Sequence, residues 1–302
     1  MKISVLTPTY NRGDLIENLY KSLEKNAETC ESDIEWLIMD DGSEDNTKDV
    51  IKTFDPTDKI QIKYYYQENH GKMYALNELV EHATGDLIVE CDSDDYFTAS
   101  AFKIIEDKYS KFKNRKDIYA LCFLKNNQYM QNMGDKFKKE ETTMFDLYFK
   151  EGETGEKALV FFANIRKKYK YELEENEKFI TEARMYHKMD LDFKMICFNT
   201  PVMVCEYQEG GYSKNISKQF KANPIGYYKY FAEMFEHNFK GVKFKKRLYA
   251  IKHLILFKVL TDSKDTFKLV KGFKNKFLYI VLYIPGIIKS KKYKNMYHYW
   301  KI

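Results

Sequence analysis

The chain has 302 residues, 44% of them hydrophobic, and a formal net charge of +5. This size and composition suit a globular protein with one large hydrophobic core and room for a smaller appended unit. The five cysteines are odd in number and include no CxxC pair; they are Cys30, Cys91, Cys122, Cys197 and Cys205. Their wide spacing argues against a disulfide framework or a zinc site and favours reduced thiols in a cytosolic setting.

Strands and helices alternate over the first 95 residues. Strands are predicted at 3–10, 36–39, 60–64 and 87–91, and helices at 15–23, 45–51 and 73–82. Leu15, Leu19 and Leu23, for example, are spaced so that they share one face of a helix. Strands that alternate with helices predict an α/β fold with a doubly wound, parallel sheet.

Polar side chains follow the ends of three of these predicted strands. They are Thr9 and Tyr10, then Asp40 and Asp41, then the acidic cluster 92–95. Ligands of parallel sheets bind outside the carboxyl ends of the strands, so we expect these residues to converge on one rim. That convergence favours a ligand site over a solvated acidic loop, although the spacing of the acidic residues alone suits both.

Three carboxylates within the cluster 92–95 repel one another unless solvent or a cation compensates their charge. Oxygen ligands favour Mg²⁺ or Mn²⁺ over metals that prefer sulfur or nitrogen. Mg²⁺ typically binds one or two carboxylates together with substrate phosphates, so a nucleotide is the expected partner. Neither GxGxxG nor GxxxxGK[ST] occurs in the sequence, which disfavours nicotinamide-type and P-loop sites.

The C-terminal part of the chain is strongly basic. Residues 240–302 contain 17 Lys and Arg against two acidic residues, whereas the first 239 contain 33 basic and 43 acidic residues. Such asymmetry predicts that the basic region has its own anionic partner. The N-terminus is too short in its apolar part for a signal peptide, and no run approaches the roughly 18 apolar residues of a membrane span.

An apolar run of twelve residues, 277–288, lies within this basic region and has lysines on both sides. The run is too short to cross a bilayer but suits an interfacial amphipathic segment on anionic lipid. A basic helical pair packed on the preceding domain is the structural alternative. Nucleic-acid binding is a weaker alternative, because no recognition module is evident.

Four segments of the first 100 residues resemble family 2 glycosyltransferases in order and spacing: Val5–Asn11, Ile38–Ser43, Asn69–Asn77, and Gly85–Asp86 with Asp92–Asp95. Weaker similarity continues at Glu177–Glu182 and Glu206–Ser213, which look like a bacterial subgroup of surface-polysaccharide assembly. The resemblance implies the GT-A fold. It also implies an inverting, metal-dependent enzyme that transfers a sugar from a nucleotide donor, here expected to be UDP-linked.

The resemblance further implies which residues bind the nucleotide. Thr9 and Tyr10 are expected to line the base pocket, and Pro8 to shape their loop. Asp41 is expected to accept hydrogen bonds from the base or ribose, and Lys72 to lie near the nucleotide. A loop at Gly210–Gly211 is expected to close over the donor, with Tyr207 or Ser213 in contact with it.

The acidic cluster takes the diphosphate end of the implied site. Asp92 is expected to contact ribose or the surroundings of the metal, and Ser93 to lie at the donor. Asp94 is expected to ligate Mn²⁺ or Mg²⁺, which bridges the two phosphates. Asp95 is expected to support the loop or the sugar, and Asp40 to be structural.

An inverting transferase also needs a base for the acceptor hydroxyl. The family uses the Asp of a Glu-Asp pair, but here Ala183 stands at the expected position after Glu182. Glu182 is therefore the preferred base, with Glu177 and Asp190 as alternatives.

The predicted architecture is a GT-A, Rossmann-like domain over residues 1–215 followed by a basic helical extension over 216–302. The expected acceptor is a glycan or lipid-linked glycan of cell-surface polysaccharide, reached from the inner face of the cell membrane. Nucleotidyl transfer is an alternative, but it calls for a glycine- and arginine-rich loop that Pro8–Gly13 does not supply. A non-catalytic nucleotide-sugar-binding module is the other alternative.

Overall fold

A computed structural model describes residues 1–206 and 216–295, with side chains described as far as residue 291. The expected loop at Gly210–Gly211, with Tyr207 and Ser213, lies outside the described residues. Contacts divide the chain into two compact units. Unit 1 comprises Met1–Thr143, Glu153–Tyr171 and Asp192–Glu209, and unit 2 comprises Met144–Gly152, Glu172–Leu191 and Gly210–Ile302. The domain boundary predicted at residue 215 stays a prediction.

Unit 1 is built on one mixed sheet. Its strands within the described residues are β1 (Lys2–Thr9), β2 (Asp33–Asp40), β3 (Ile60–Tyr66), β4 (Leu87–Glu90), β5 (Asp95–Phe97), β6 (Ile118–Asn127), β7 (Glu141–Thr142), β8 (Lys157–Phe162) and β9 (Lys194–Cys205). The order across the sheet is β3-β2-β1-β4-β8-β6-β9-β5, with β7 beside β9. The first four strands in this order are parallel, which confirms the predicted parallel arrangement of the first 95 residues.

Helices connect these strands and cover the sheet. They are α1 (Ile16–Thr29), α2 (Thr47–Ile51), α3 (Lys72–His82), α4 (Ala101–Phe112) and α5 (Ala163–Arg166). The predicted fourth strand ends one residue earlier than expected, at Glu90, and Asp95 begins the short strand β5. Asp95 thereby pairs with Cys205 of β9, so the sheet itself holds the C-terminal end of the acidic cluster.

The core of unit 1 explains why β1 and β2 are almost wholly apolar. Parallel strands in the middle of a sheet are buried on both faces and need side chains for two layers. On one face Val5 and Trp36 pack in the same cluster as Leu19 of α1. Trp36 also stacks on Phe54, with 5.7 Å between ring centroids. Each fully buried side chain of this kind contributes about 2 kcal/mol, and together they fix the strand ends that follow.

Unit 2 is helical within the residues that the structure describes. Its helices are α6 (Ala183–Met189), α7 (Ile216–Ala222), α8 (Pro224–Glu233), α9 (Phe244–Thr261), α10 (Thr266–Leu269) and α11 (Phe273–Asn295), with single turns at Asp146–Glu151 and Met234–Glu236. The helix α9 packs against both α8 and α11. The helix α11 continues through Pro285. Among the described residues, no helix is both long enough and apolar enough to span a membrane.

Candidate functional site

The carboxyl ends of β1, β2 and β4 lie side by side at one edge of the sheet. Thr9 at the end of β1 is in register with Asp40 at the end of β2, and Leu6 with Glu90 of β4. Two further hydrogen bonds continue this pairing past the strands, from the Asp41 amide to the Thr9 carbonyl (2.8 Å) and from the Cys91 amide to the Leu6 carbonyl (3.0 Å). The loops that carry the predicted residues therefore leave the sheet along a common edge, which we call the rim.

Asp41 holds the loop that leads into α3. Its Oδ1 accepts hydrogen bonds from Gln67 Nε2 (2.7 Å) and the His70 amide (2.8 Å), and its Oδ2 accepts one from the Gly71 amide (2.8 Å). Gly71 has a φ of 95°, which glycine adopts without a Cβ penalty. Because a carboxylate has about four acceptor sites, one remains for a ligand.

Asp40 is structural, as its neighbours show. Its Oδ1 accepts a hydrogen bond from the Ser43 amide at 2.8 Å, and its Oδ2 accepts one from the Tyr64 hydroxyl at 2.7 Å. The side chain is buried. Both oxygens are thus used to fix the turn after β2 within the protein.

The loop after β1 presents one buried hydroxyl and one exposed ring. Pro8 and Thr9 belong to β1, and the Thr9 hydroxyl is buried without a hydrogen-bond partner within the described part of the chain. Tyr10 is 45% exposed. Asn11 fixes the loop, because its amide donates to Ser43 Oγ (2.9 Å) and its side-chain oxygen accepts from the Glu44 amide (2.9 Å). A buried hydroxyl without a partner costs free energy, which a ligand group at this position would restore.

Lysines neutralise two of the three aspartates in the acidic cluster. Lys72 Nζ, at the start of α3, lies 2.8 Å from Asp92 Oδ2. Burial acts to raise the pKa of Asp92, but the charge and hydrogen bond of Lys72 outweigh it and hold that pKa below its usual value. Lys125 Nζ of β6 lies 2.9 Å from Asp95 Oδ2 and 3.6 Å from Glu156 Oε2.

The sequence analysis missed Lys125. Its side chain is 14% exposed, and the Asp95 side chain is 5% exposed. Burial acts to lower the pKa of Lys125, yet Asp95 and Glu156 outweigh it and raise that pKa well above the usual value. The sequence offered one indication of it, because Lys125 directly follows the apolar residues Phe123 and Leu124 of a strand.

Asp94 is the aspartate of the cluster without such a partner. Within residues 1–206 and 216–295, no other residue donates a hydrogen bond to its carboxylate, and the two lysines pair with Asp92 and Asp95 instead. Burial, and then the charges of those two aspartates, raise the pKa of Asp94 to about 6. Ser93 beside it is buried. A cation near Asp94 would relieve this unbalanced negative charge.

The described residues do not form a complete protein cage for a metal ion. No three histidine, cysteine or acidic side chains among them are grouped so that they could hold one. A hard cation does not need three, since Mg²⁺ usually binds one or two carboxylates and completes its shell with phosphates and water. Asp94 with Asp92 fits such an ion in chemistry and number.

The three candidate bases belong to unit 2, and the structure separates them. Glu177 accepts hydrogen bonds from the amides of Ile225 (2.7 Å) and Gly226 (2.8 Å), at the start of α8. Asp190 accepts them from the amides of Met144 (3.1 Å) and Phe145 (2.8 Å). Glu182 is half-buried and directly precedes α6. The two alternatives thus anchor backbone within unit 2, and Glu182 stays the preferred prediction.

A family model described as glycosyl transferase family 2 matches residues 4–169, more than half of the chain. The chain belongs to glycosyl transferase family 2. The matched segment contains every rim residue described above, from Thr9 to Lys125. Glu182 and its two alternatives lie beyond it, so the family match bears on the rim and not on the base.

Two curated relatives match the N-terminal part of this family 2 chain. An uncharacterized glycosyltransferase of Mycoplasma genitalium is 36% identical over 128 residues, which cover 41% of this chain and 42% of the relative. A prophage bactoprenol glucosyl transferase homolog of Escherichia coli is 33% identical over 94 residues, 31% of each chain. The chain spans less than half the length of either relative.

Two solved structures resemble the whole family 2 chain in fold. S. aureus TarS in complex with UDP has a TM-score of 0.59 at 16% identity, and the match covers 100% of this chain and 93% of that one. A mannosyltransferase from Pyrobaculum calidifontis, in complex with GDP-Man and Mn²⁺, has a TM-score of 0.53 at 16% identity, over 96% and 83% of the two chains. The likeness confirms the predicted GT-A fold.

Proposed function

We propose that this family 2 glycosyltransferase binds a nucleoside diphosphate sugar, with UDP as the nucleotide, at the rim of unit 1. The observation that carries the proposal is the unbalanced charge of Asp94. It stands on the same sheet edge as a buried hydroxyl that lacks a partner, that of Thr9. A donor with a bound divalent cation supplies a positive charge for the first group and hydrogen-bonding groups for the second.

The nucleotide end of the donor is assigned to the loops after β1 and β2. The exposed Tyr10 ring offers a surface on which a base can stack, and Pro8 directs that loop. The Thr9 hydroxyl and the remaining acceptor site of Asp41 are suited to the base or ribose. TarS was solved with UDP and the Pyrobaculum enzyme with GDP-Man, and both support a nucleotide as ligand of this fold.

The diphosphate end is assigned to Asp94, with Asp92 and Ser93 beside it. These residues would hold Mn²⁺ or Mg²⁺, which supplies positive charge to offset the charge that develops on the leaving diphosphate. Lys72 fixes the orientation of Asp92 through their ion pair, and its ammonium adds positive charge next to the phosphates. The Mn²⁺ in the Pyrobaculum complex supports a divalent ion in this fold.

Glu182 is proposed as the base within a catalytic domain of residues 1–215. A carboxylate in this role accepts the proton of an acceptor hydroxyl while the hydroxyl oxygen attacks the anomeric carbon. Attack opposite the leaving diphosphate inverts the configuration at that carbon. Glu177 and Asp190 bind backbone amides within unit 2, which counts against these two alternatives.

The proposed acceptor is a glycan or lipid-linked glycan of cell-surface polysaccharide. The relative named as a bactoprenol glucosyl transferase supports a lipid-linked acceptor. Such an acceptor places the reaction at the inner face of the cell membrane. The basic composition of residues 240–302 suits that location, because anionic lipids attract clustered lysines.

A thermal-shift panel of nucleotide sugars, with and without Mn²⁺, tests the donor assignment. We expect one UDP-sugar to raise the melting temperature of the wild type more with Mn²⁺ than without it, and Asp94→Asn to remove that Mn²⁺-dependent increment. Asp107→Asn is the matched control, since Asp107 is an exposed carboxylate of α4 whose partner is Lys103. An increment that survives in Asp94→Asn would contradict the assignment. A protein that binds the donor but transfers no sugar would favour the binding module.

A further inference from the structure

The helix α11 exposes an apolar face although it also packs against α9. Its buried face includes the polar residues Asn275 and Ser290, with Tyr279 between them. Its exposed face is a stripe of large apolar side chains that are 53% to 84% exposed: Phe273, Phe277, Ile280, Val281, Ile284 and Ile288. We call these six residues the outer stripe. A surface helix normally turns its charged side chains to water and its apolar ones to the core.

Helical geometry makes the outer stripe continuous. Apart from the adjacent pair Ile280 and Val281, neighbouring members are three or four residues apart, which places their side chains on one face of a helix. The twelve residues from Phe277 to Ile288 include no charged side chain and extend about 18 Å at 1.5 Å per residue. An uninterrupted apolar surface of this length is unusual for a face in water and marks an interaction site.

Packing against α9 fixes which face of α11 points outward. A Cβ at Gly286 would come within 2.9 Å of Ile255 Cγ2, so glycine is what allows the two helices to approach this closely. Arg247 of α9 also hydrogen-bonds Asn275 of α11. Rotation of α11 to hide the stripe would break both contacts.

Charge on α11 identifies the chemistry of the partner. Exposed Lys271, Lys274 and Lys276 come before the apolar run, and exposed Lys289 and Lys291 follow it. No acidic residue occurs after Asp265 in the sequence. The partner surface must therefore be apolar opposite the middle of the helix and anionic opposite both ends. The interface of an anionic lipid bilayer has both properties, with acyl chains beneath negatively charged headgroups.

We propose that the outer stripe of α11 is a docking surface for an anionic lipid bilayer, in which the helix lies parallel to the membrane. The six apolar side chains insert to the depth of the upper acyl chains. The lysines at the two ends contact anionic headgroups. This surface extends the proposed function at the membrane, but it requires neither donor nor acceptor to bind.

A second copy of the chain fits the outer stripe less well. Two stripes that met face to face around a twofold axis would bring the terminal lysines of both helices together, and no acidic residue of α11 would balance them. A nucleic acid would pair with the lysines but would leave the apolar stripe in water.

Vesicle flotation tests the proposal with the full-length protein. We expect the protein to float with vesicles of phosphatidylcholine plus phosphatidylglycerol and to stay unbound with phosphatidylcholine alone. In the variant Phe277→Gln/Ile284→Gln/Ile288→Gln, binding should fall at least about tenfold, because three inserting side chains become polar. These side chains are exposed, so the melting temperature should be nearly unchanged.

The matched control is Tyr129→Gln/Met130→Gln/Phe244→Gln, which replaces three similarly exposed apolar residues outside α11. It should bind vesicles like the wild type. The variant Lys274→Gln/Lys291→Gln should bind several-fold more weakly and with a smaller dependence on salt.

Two results would overturn the proposal. One is equal flotation of the wild type and the stripe variant. The other is a wild-type dimer in light scattering that the stripe variant converts to a monomer without loss of flotation, which would assign the stripe to a second copy. Loss of donor binding in the thermal-shift panel would leave flotation unchanged, so failure of the donor assignment is distinguishable from failure of the docking surface.

Discussion

The two units of the molecule each contain a cluster of three carboxylates, and they treat the charge differently. In unit 1 the cluster comprises Asp92, Asp94 and Asp95, and lysines pair with the first and the third. In unit 2 the cluster comprises Glu172, Glu174 and Glu233, which surround three cations: Arg184, Lys188 and Lys229. Charges in the unit 2 cluster balance one another, whereas in the unit 1 cluster Asp94 forms no ion pair with any residue that the structure describes.

This difference separates a cluster that stabilises its own unit from one that is prepared for a ligand. Arg184 is buried and forms ion pairs with all three glutamates, so the unit 2 cluster has no need of an outside cation. Burial and the charges of Asp92 and Asp95 raise the pKa of Asp94, so its ionisation costs free energy in the folded protein. A protein maintains such a cost where binding recovers it, and strongly perturbed carboxylates therefore indicate functional sites.

The strongest test of the comparison removes the unbalanced charge. We expect Asp94→Asn to lower sugar transfer by at least about a thousandfold, since electrostatic stabilisation of a leaving group contributes several kcal/mol. The same variant should melt at a higher temperature than the metal-free wild type near pH 7.5. Initial rates with saturating Mn²⁺ and melting curves in a chelator measure the two effects.

The sign of the stability effect follows from the pKa of Asp94, which is about 6 in the folded protein against 3.8 as its model value. A carboxyl with a raised pKa favours folding while it is protonated, and this contribution is lost as pH rises through about 6. The advantage of Asp94→Asn should therefore disappear near pH 4. Asp95→Asn is the matched control and should destabilise the protein, because it takes a partner from the buried Lys125. Stabilisation by both variants would contradict the comparison.

The second test concerns the base in unit 2. Glu182→Gln should lower kcat by at least about a hundredfold, since general-base catalysis contributes factors of this size. Glu177→Gln should instead change stability more than activity. Its carboxylate holds two amides at the start of α8, so its loss should cost about 1–2 kcal/mol of stability and little activity. Full activity in Glu182→Gln would remove it as the base.

The sequence predicted most of the rim because local rules determine it. The spacing of apolar residues and the turn residues between them locate β1 to β4. Because these strands are parallel, Thr9, Asp41 and the acidic cluster come to one edge of the sheet. Lys125 and Asp95 show where such rules stop. Their ion pair joins β6 to β5, and it exists because β9 lies between these strands in the sheet. No local pattern contains that order, which only the tertiary fold establishes.

The composition of residues 277–288 and their flanking lysines also predicted a basic, interfacial segment. The sequence did not predict which side of α11 packs against the protein and which side is exposed. That orientation depends on Gly286 against Ile255 of α9, a contact between distant positions. The same limit applies to the candidate bases. All three candidates are carboxylates, so residue type alone does not separate them. The structure shows that Glu177 and Asp190 accept hydrogen bonds from backbone amides.

The third test disturbs the balanced cluster. Arg184→Met should lower the free energy of unfolding by about 3–5 kcal/mol, because it leaves the three glutamates without their shared partner. Arg115→Met is the control. Arg115 forms ion pairs with Asp117 at 2.6 Å and with Glu141 at 3.1 Å, but these side chains are much more exposed than Arg184, so its loss should lower stability far less. Urea unfolding at neutral pH measures both. Equal losses of unfolding free energy in the two variants would mean that the burial of Arg184 does not add to the stability that its ion pairs contribute.

The smallest expected effect per residue is the loss of stability that acid causes through buried histidines of unit 2. Lowering the pH destabilises the protein through these histidines, whereas it stabilises the protein through Asp94. Burial lowers the pKa of His187 to about 3, and the pKa values of His237 and His253 to about 4. A histidine with a lowered pKa favours folding above its unfolded value of about 6.5, and that contribution is lost as pH falls from there through the folded pKa, about 3 for His187 and about 4 for the other two. Each histidine should therefore cost about 1–2 kcal/mol near pH 5.

Circular dichroism follows the helices, and Trp36 fluorescence follows unit 1 once Trp300→Phe has removed the other tryptophan. We expect acid to shift the midpoint of urea unfolding more in circular dichroism than in fluorescence. His187→Leu is the informative variant. His187 lies in an aromatic cluster with Phe145 and Tyr230, at ring distances of 5.4 and 5.5 Å, which an apolar side chain can join. Its difference in stability between about pH 7 and pH 5 should be smaller than that of the wild type. An unchanged difference would mean that His187 does not contribute to the acid sensitivity, and that the carboxylates dominate it in unit 2 as well.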